Sequence, residues 1–72
     1  MSNKLLSALK SRYEAQKAEG LANIEVYMTN PAGIGDHSDI TSAIADQISK
    51  IAEADDGLLV LEENFNDDID DV

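Results

Sequence analysis

From Ile40 to Phe65 the residues Ile40, Ile44, Gln47, Ile51, Ala54, Leu58, Leu61 and Phe65 follow one another in alternating steps of four and three. That spacing puts them on one stripe of an α-helix, the arrangement of a coiled-coil seam, and Ile48 broadens the stripe. Gln47 alone is polar, and a polar residue at such a position sets the register of the partner helix. A helix with one long apolar stripe must bury it against something, so the rest of the chain is constrained to supply a partner.

The preceding segment supplies one. Leu6, Leu9, Tyr13, Gly20, Ile24 and Tyr27 recur at spacings of three, four or seven, with Leu21 and Met28 widening the stripe toward its end. Lys17 falls within this stripe, and Gly20 costs about 1 kcal/mol of helix propensity relative to alanine. The middle of the first helix is therefore its weakest point, where either a neighbouring helix approaches closely or the helix kinks. If the chain reverses, Gln47 lies opposite Gly20, where the missing side chain leaves room. Ala8, Ala15, Ala18, Ala22 and Val26 lie on the other side, either as helix formers on a surface or as a second packing face.

Between the segments runs "TNPAGIGDHSD", residues 29 to 39. Pro31 disfavours the helical conformation at Asn30, so the first helix stops by Thr29 or Asn30. Gly33 and Gly35 offer positive φ at low cost, Ile34 can fold inward as a plug over the hairpin end, Asp36 or Ser38 caps the second helix, and Asp39 places negative charge on its first turn. The sequence thus predicts an all-α, antiparallel two-helix hairpin over residues 1–64. Its helix 1 spans about residues 3–29, its loop 30–37 and its helix 2 about 38–64. An acidic tail without fixed structure follows at 65–72, because "NDDIDDV" has little apolar content beyond Ile69 and Val72. The helix–helix seam is expected to comprise Leu6, Leu9, Tyr13, Ile24, Tyr27, Ile44, Ile51, Leu58 and Leu61.

Catalytic and ligand motifs are incomplete. "GIGDHS" lacks the third glycine and the preceding strand of a dinucleotide fingerprint, and it lacks the Gly-Lys-Ser/Thr ending of a phosphate loop. Backbone amides at the start of helix 2 could hold an anion or small ligand at the Gly33–His37 loop, but Asp36 and Asp39 oppose an anion there. His37 has carboxylate neighbours and no nucleophile near it in sequence, so it reads as an exposed or capping residue. Gly57 lies six residues before Glu63, as in a calcium loop, yet the first and third ligand positions are Ala52 and Ala54. No catalytic residue, cofactor or metal ligand is assigned.

Charge narrows the partners. Residues 1–30 carry Lys4, Lys10, Arg12 and Lys17 against Glu14, Glu19 and Glu25, a net of +1, whereas twelve acidic residues from Asp36 onward face Lys50 alone, a net of −11. Scattered cations make no basic face for direct nucleic-acid binding. The longest apolar runs fall far short of the roughly 20 residues of a membrane span. "MSNKLLSALKSRYEAQ" does not read as a signal peptide, and cysteine is absent, which fits a reducing, cytoplasmic setting.

The run "RYEAQKAEGLANIEVYMTNPAGIGDHSDITSAIADQISKIAEADDGLLVLE" resembles small uncharacterised proteins of tailed bacteriophages, especially T-even-type phages of marine bacteria. In these a "YMTNPAGIGDHSDI"-like centre joins two helical arms. The resemblance covers most of the chain and implies a phage origin, hence the host cytoplasm, and a helical hairpin; it carries no binding or catalytic residues to transfer.

A two-helix unit of this size gains little net stability from its own core. Self-association into a four-helix bundle is expected to cover the remaining apolar surface. The expected function is that of a non-enzymatic interaction protein acting on a host or phage protein through a helical face and an acidic surface. The alternative is a nucleic-acid mimic that occupies the basic groove of a DNA- or RNA-handling enzyme. If the loop serves geometry, His37→Ala is expected to leave thermal stability and partner binding unchanged, while Gly33→Val or Gly35→Val lowers stability wherever the glycine holds positive φ. Melting curves test this, and a folded His37→Ala protein that binds no partner would refute it.

Overall fold

A computed structural model describes residues 3–30 and 39–69. Helix α1 spans Lys4–Thr29 and helix α2 spans Ile40–Phe65, and the two pack against each other as an antiparallel hairpin. The all-α hairpin expected from the apolar periodicity is the observed fold. At about 1.5 Å of rise per residue each helix is about 39 Å long. The molecule measures 52 × 19 × 15 Å, two helices wide and one helix thick.

Each helix starts at a capping side chain, Asn3 for α1 and Asp39 for α2. Asn3 caps α1: its side-chain oxygen accepts from the amides of Leu5 and Leu6 at 2.9 and 3.3 Å. Its own amide donates to the carbonyl of Asp68 at 2.6 Å, which ties the start of α1 to the end of the chain. At the other end, α1 stops at Thr29, with the Asn30 amide still donating to the Val26 carbonyl at 2.7 Å.

Two expectations need correction. The cap of α2 is Asp39 and not Asp36 or Ser38, and the latter two lie outside the described residues, as do Pro31, Ala32, Gly33, Ile34, Gly35 and His37. Asp39 is extended (φ −79°, ψ 106°), accepts from the Ser42 amide at 3.2 Å and accepts from the Ser42 hydroxyl at 3.0 Å. It stands directly before the first residue of the apolar stripe, which is where a cap belongs. The tail is also not uniformly without structure. Phe65 is the last residue of α2, Asn66–Asp68 form one 3₁₀ turn, and Ile69 is half-buried. The bond from Asn3 and the apolar side chain of Ile69 hold this turn; residues 70–72 lie outside the described residues.

The helices meet through reciprocal notches. A Cβ on Gly20 would stand 2.7 Å from Cγ1 of Ile51 and 3.4 Å from the Gln47 carbonyl oxygen, so Ile51 of α2 sits directly over Gly20 of α1. A Cβ on Gly57 would stand 2.5 Å from Cε2 and 2.8 Å from Cε1 of Tyr13, so the Tyr13 ring of α1 covers Gly57 of α2. Ala54, on α2 between these notches, is fully buried, and Leu61 is buried beyond them. Small residues let the backbones approach, and the facing large side chains fill the gaps they leave.

Gly57→Ala is therefore a conflict between helix propensity, which gains about 1 kcal/mol, and overpacking against an aromatic ring, which costs about 1–3 kcal/mol. The ring is held in the seam, so the packing cost is expected to win and the melting temperature to fall. In a Tyr13→Ala background the sign should reverse, because the ring atoms nearest the alanine methyl are then gone. Melts of the four proteins at one concentration check this; a Gly57→Ala protein more stable than wild type would remove Tyr13 from over Gly57.

Candidate functional site

Flanking the seam are two faces of opposite character. On one, Gln16 and Asn23, seven residues apart on α1, reach across to α2. The Gln16 amide donates to the Lys50 carbonyl at 2.8 Å, and the Asn23 amide donates to the buried Gln47 side-chain oxygen at 3.1 Å. Gln47 is thus satisfied from the side by Asn23, while the notch at Gly20 is filled by Ile51, and the Gln47 backbone oxygen lies next nearest to it. An open groove of about 480 Å³ runs along this face, lined by Arg12, Gln16, Glu19, Gly20, Gln47, Lys50 and Glu53 among others. Its two cations and two carboxylates leave it without a dominant sign, so it offers no field selecting an anion or a cation.

The opposite face is located by the ion pair Lys17–Asp55 at 2.8 Å, which bridges the helices there with both side chains about half exposed. Such a pair contributes about 0.2–1 kcal/mol. From Lys17, steps of four, seven and eleven lead to Leu21, Ile24 and Met28; from Asp55, the same steps backward lead to Ile51, Ile48 and Ile44. Residues at those intervals share a helix face. Ile24, Ile44 and Ile51 are half-buried in the seam margin, whereas Leu21, Met28 and Ile48 remain 52, 70 and 55 % exposed. The loop-proximal half of this face is consequently an apolar strip drawn from both helices. Its other half carries Lys10 and Glu62, which with Leu58, Leu61, Asn66 and Ile69 line a hollow of about 230 Å³.

The residues expected at the seam differ in burial. Leu6, Leu9, Tyr13, Ile24, Tyr27, Ile44, Ile51 and Leu58 are half-buried and Leu61 is buried. Phe65, at the far end of the same stripe, is 40 % exposed. The sequence reading missed Asn23, Gln16 and the second notch at Gly57. Asn23 and Gln16 had a signal: polar side chains beside the seam at a separation of seven, opposite the only polar seam position of α2. Among the described residues, no three His, Cys, Asp or Glu side chains group to hold a metal, and no helix is long and apolar enough to cross a membrane. No family model, no curated protein and no solved structure matches the chain.

One titration follows from the cap geometry. Donation by the Ser42 amide, then by its hydroxyl, holds the Asp39 carboxyl below the usual aspartate value. A lowered folded-state pKa means that this contribution to stability is complete above the unfolded value, near pH 4, and is lost as pH falls through the lower folded value. Protonating the other carboxylates also relieves the −10 net charge, so the effect is best read as a difference between proteins. Asp39→Asn keeps a capping oxygen without the charge. Below about pH 4 wild type is expected to lose stability relative to Asp39→Asn. Parallel denaturation curves from pH 6 to pH 2 check this; curves that keep a constant separation would show that the charge adds nothing to the cap.

Proposed function

We propose that this chain is a non-enzymatic binding module that engages protein through the apolar face marked by Leu21, Met28 and Ile48, within an acidic exterior. The observation that carries the reading is the combined exposure of these three side chains beside half-buried isoleucines on one face of the hairpin. A contiguous apolar strip rimmed by charged residues is the usual mark of a protein–protein surface. The net charge of −10 favours basic partners by long-range attraction and disfavours nucleic acid itself. The resemblance to phage proteins suggests a host or phage factor as the wider partner. The same charge supports a second reading, a nucleic-acid mimic seated in a basic groove.

Capture from a host-cell lysate at low and high salt, with wild type and Ile48→Glu as baits, separates the two. Binding through the apolar face is expected to survive high salt and to be lost with Ile48→Glu. A mimic would capture basic nucleic-acid enzymes that elute with salt and would be indifferent to Ile48→Glu. A wild-type bait that retains nothing beyond a scrambled-sequence peptide of equal charge refutes the mimic, and refutes the binding reading as well if the protein is also monomeric.

A further inference from the structure

We infer that the occupant of the apolar face is a second copy of this chain, joined about a two-fold axis parallel to the helices to form a four-helix bundle with both loops at one end. The inference rests on the binding reading above and names its partner. It is carried by the pattern of charge on that face. The cations Lys10 and Lys17 lie seven residues apart on α1, and the anions Asp55 and Glu62 lie seven residues apart on α2. Lys17 pairs with Asp55, while Lys10 and Glu62 line one hollow, so the face carries two tiers, each with a cation on α1 and an anion on α2, and Glu14 stands on α1 between the two cations.

A basic partner helix would meet Lys10 and Lys17, and an acidic one would meet Asp55 and Glu62. The complement of this surface carries the same two tiers with the helices exchanged. Rotation of the hairpin by a half turn about an axis along the helices generates that surface: α1 comes to lie over the partner's α2 at the same level. Lys17 then faces a second Asp55, Lys10 faces a second Glu62, and the Leu21–Met28 strip covers the isoleucine strip of the partner's α2. A two-fold axis across the helices gives the opposite result. Lys17 and Asp55 lie near the middle of their helices, so such an axis sets α1 on α1, opposes like charges at the centre and lays the apolar half on the charged half. The outline of the face, 52 × 19 Å, also accommodates the roughly 800 Å² per partner of a stable interface. Closed two-fold pairing leaves no further copy of the face exposed.

Sedimentation equilibrium across a hundredfold dilution is expected to give a dimer that dissociates on dilution, and Ile48→Glu, altered at an exposed position of the hairpin, is expected to sediment as a helical monomer. Should that variant unfold, a mixing experiment keeps the inference testable. Lys17→Glu and Asp55→Lys each place like charges across the interface and are expected to weaken self-association about tenfold or more. Mixed together they restore opposite charges between chains and should form a heterodimer. Spin labels on Lys4→Cys report the axis: labels at one end give a separation well under the 52 Å length, whereas an axis across the helices places them at opposite ends. A monomer at every concentration, no heterodimer on mixing, or labels at opposite ends would each overturn the inference. A monomer that still captures a lysate protein through Ile48 overturns the dimer while the binding reading stands; a monomer with no such capture removes both.

Discussion

Two glycines set how closely the helices of this hairpin approach, and most other features follow from that distance. Gly20 receives Ile51 and Gly57 receives the ring of Tyr13, so each helix contributes one notch and one filling side chain. Each glycine sacrifices about 1 kcal/mol of helix propensity. The return is an interface in which large side chains contact backbone, where dispersion acts over many atom pairs. With the backbones this near, the space between the helices is narrow. Among the described residues only Ala54, Leu61 and Gln47, besides Gly20 itself, become buried, and the flanking isoleucines, leucines and tyrosines stop half-way. The small core is thus a consequence of a hairpin one helix thick, and it is also why apolar side chains remain on an outer face.

Helix existence, order and approximate length were legible because they depend on local periodicity and punctuation. Asn30 before Pro31 ends α1 where backbone sterics require, and the steps of four and three through α2 hold to Phe65. Gly20 as a place of close approach was also legible, since a glycine inside an apolar stripe weakens the helix and removes a side chain from the very face that must pack. Gly57 was not, because it lies beside the stripe of α2 and its purpose becomes visible only when the register brings Tyr13 over it. The expected caps Asp36 and Ser38 fall three residues and one residue before the observed cap, Asp39, a difference in helix boundary, which is the least determined part of a sequence reading. The 3₁₀ turn after α2 depends on the Asn3 amide donating to Asp68, a bond between residues far apart in sequence that no local pattern announces.

The charge asymmetry along the chain becomes an asymmetry across the hairpin. Lys10, Lys17 and Arg12 belong to α1 and the dense carboxylates to α2, so folding sets cations of one helix beside anions of the other, as at Lys17–Asp55. An exposed pair of this kind contributes little to stability, but it biases which surfaces can approach. The remaining carboxylates face solvent along α2 and repel surfaces of the same sign. Under the proposed binding role, docking is directed toward the strip where Leu21, Met28 and Ile48 interrupt the acidic surface, with charge selecting the approach and apolar area supplying the affinity.

Register links these layers. Gln16 holds the Lys50 carbonyl and Asn23 holds the Gln47 side chain, so two polar contacts from positions one heptad apart on α1 fix it against α2. Each is modest by itself, because folding exchanges water for protein partners, but a slip of α2 would strand the buried Gln47 without its donor, and an unpaired amide there costs more than the bond contributes. The same slip would lift Ile51 from Gly20 and drive a Cβ into the space Tyr13 occupies. It would also separate Lys17 from Asp55 and break the opposition of charges on the outer face. The polar side of the seam therefore determines what the apolar side can present: without Asn23 and Gln16 the helices could still associate, but the isoleucines of α2 would no longer stand level with Leu21 and Met28 as one continuous strip.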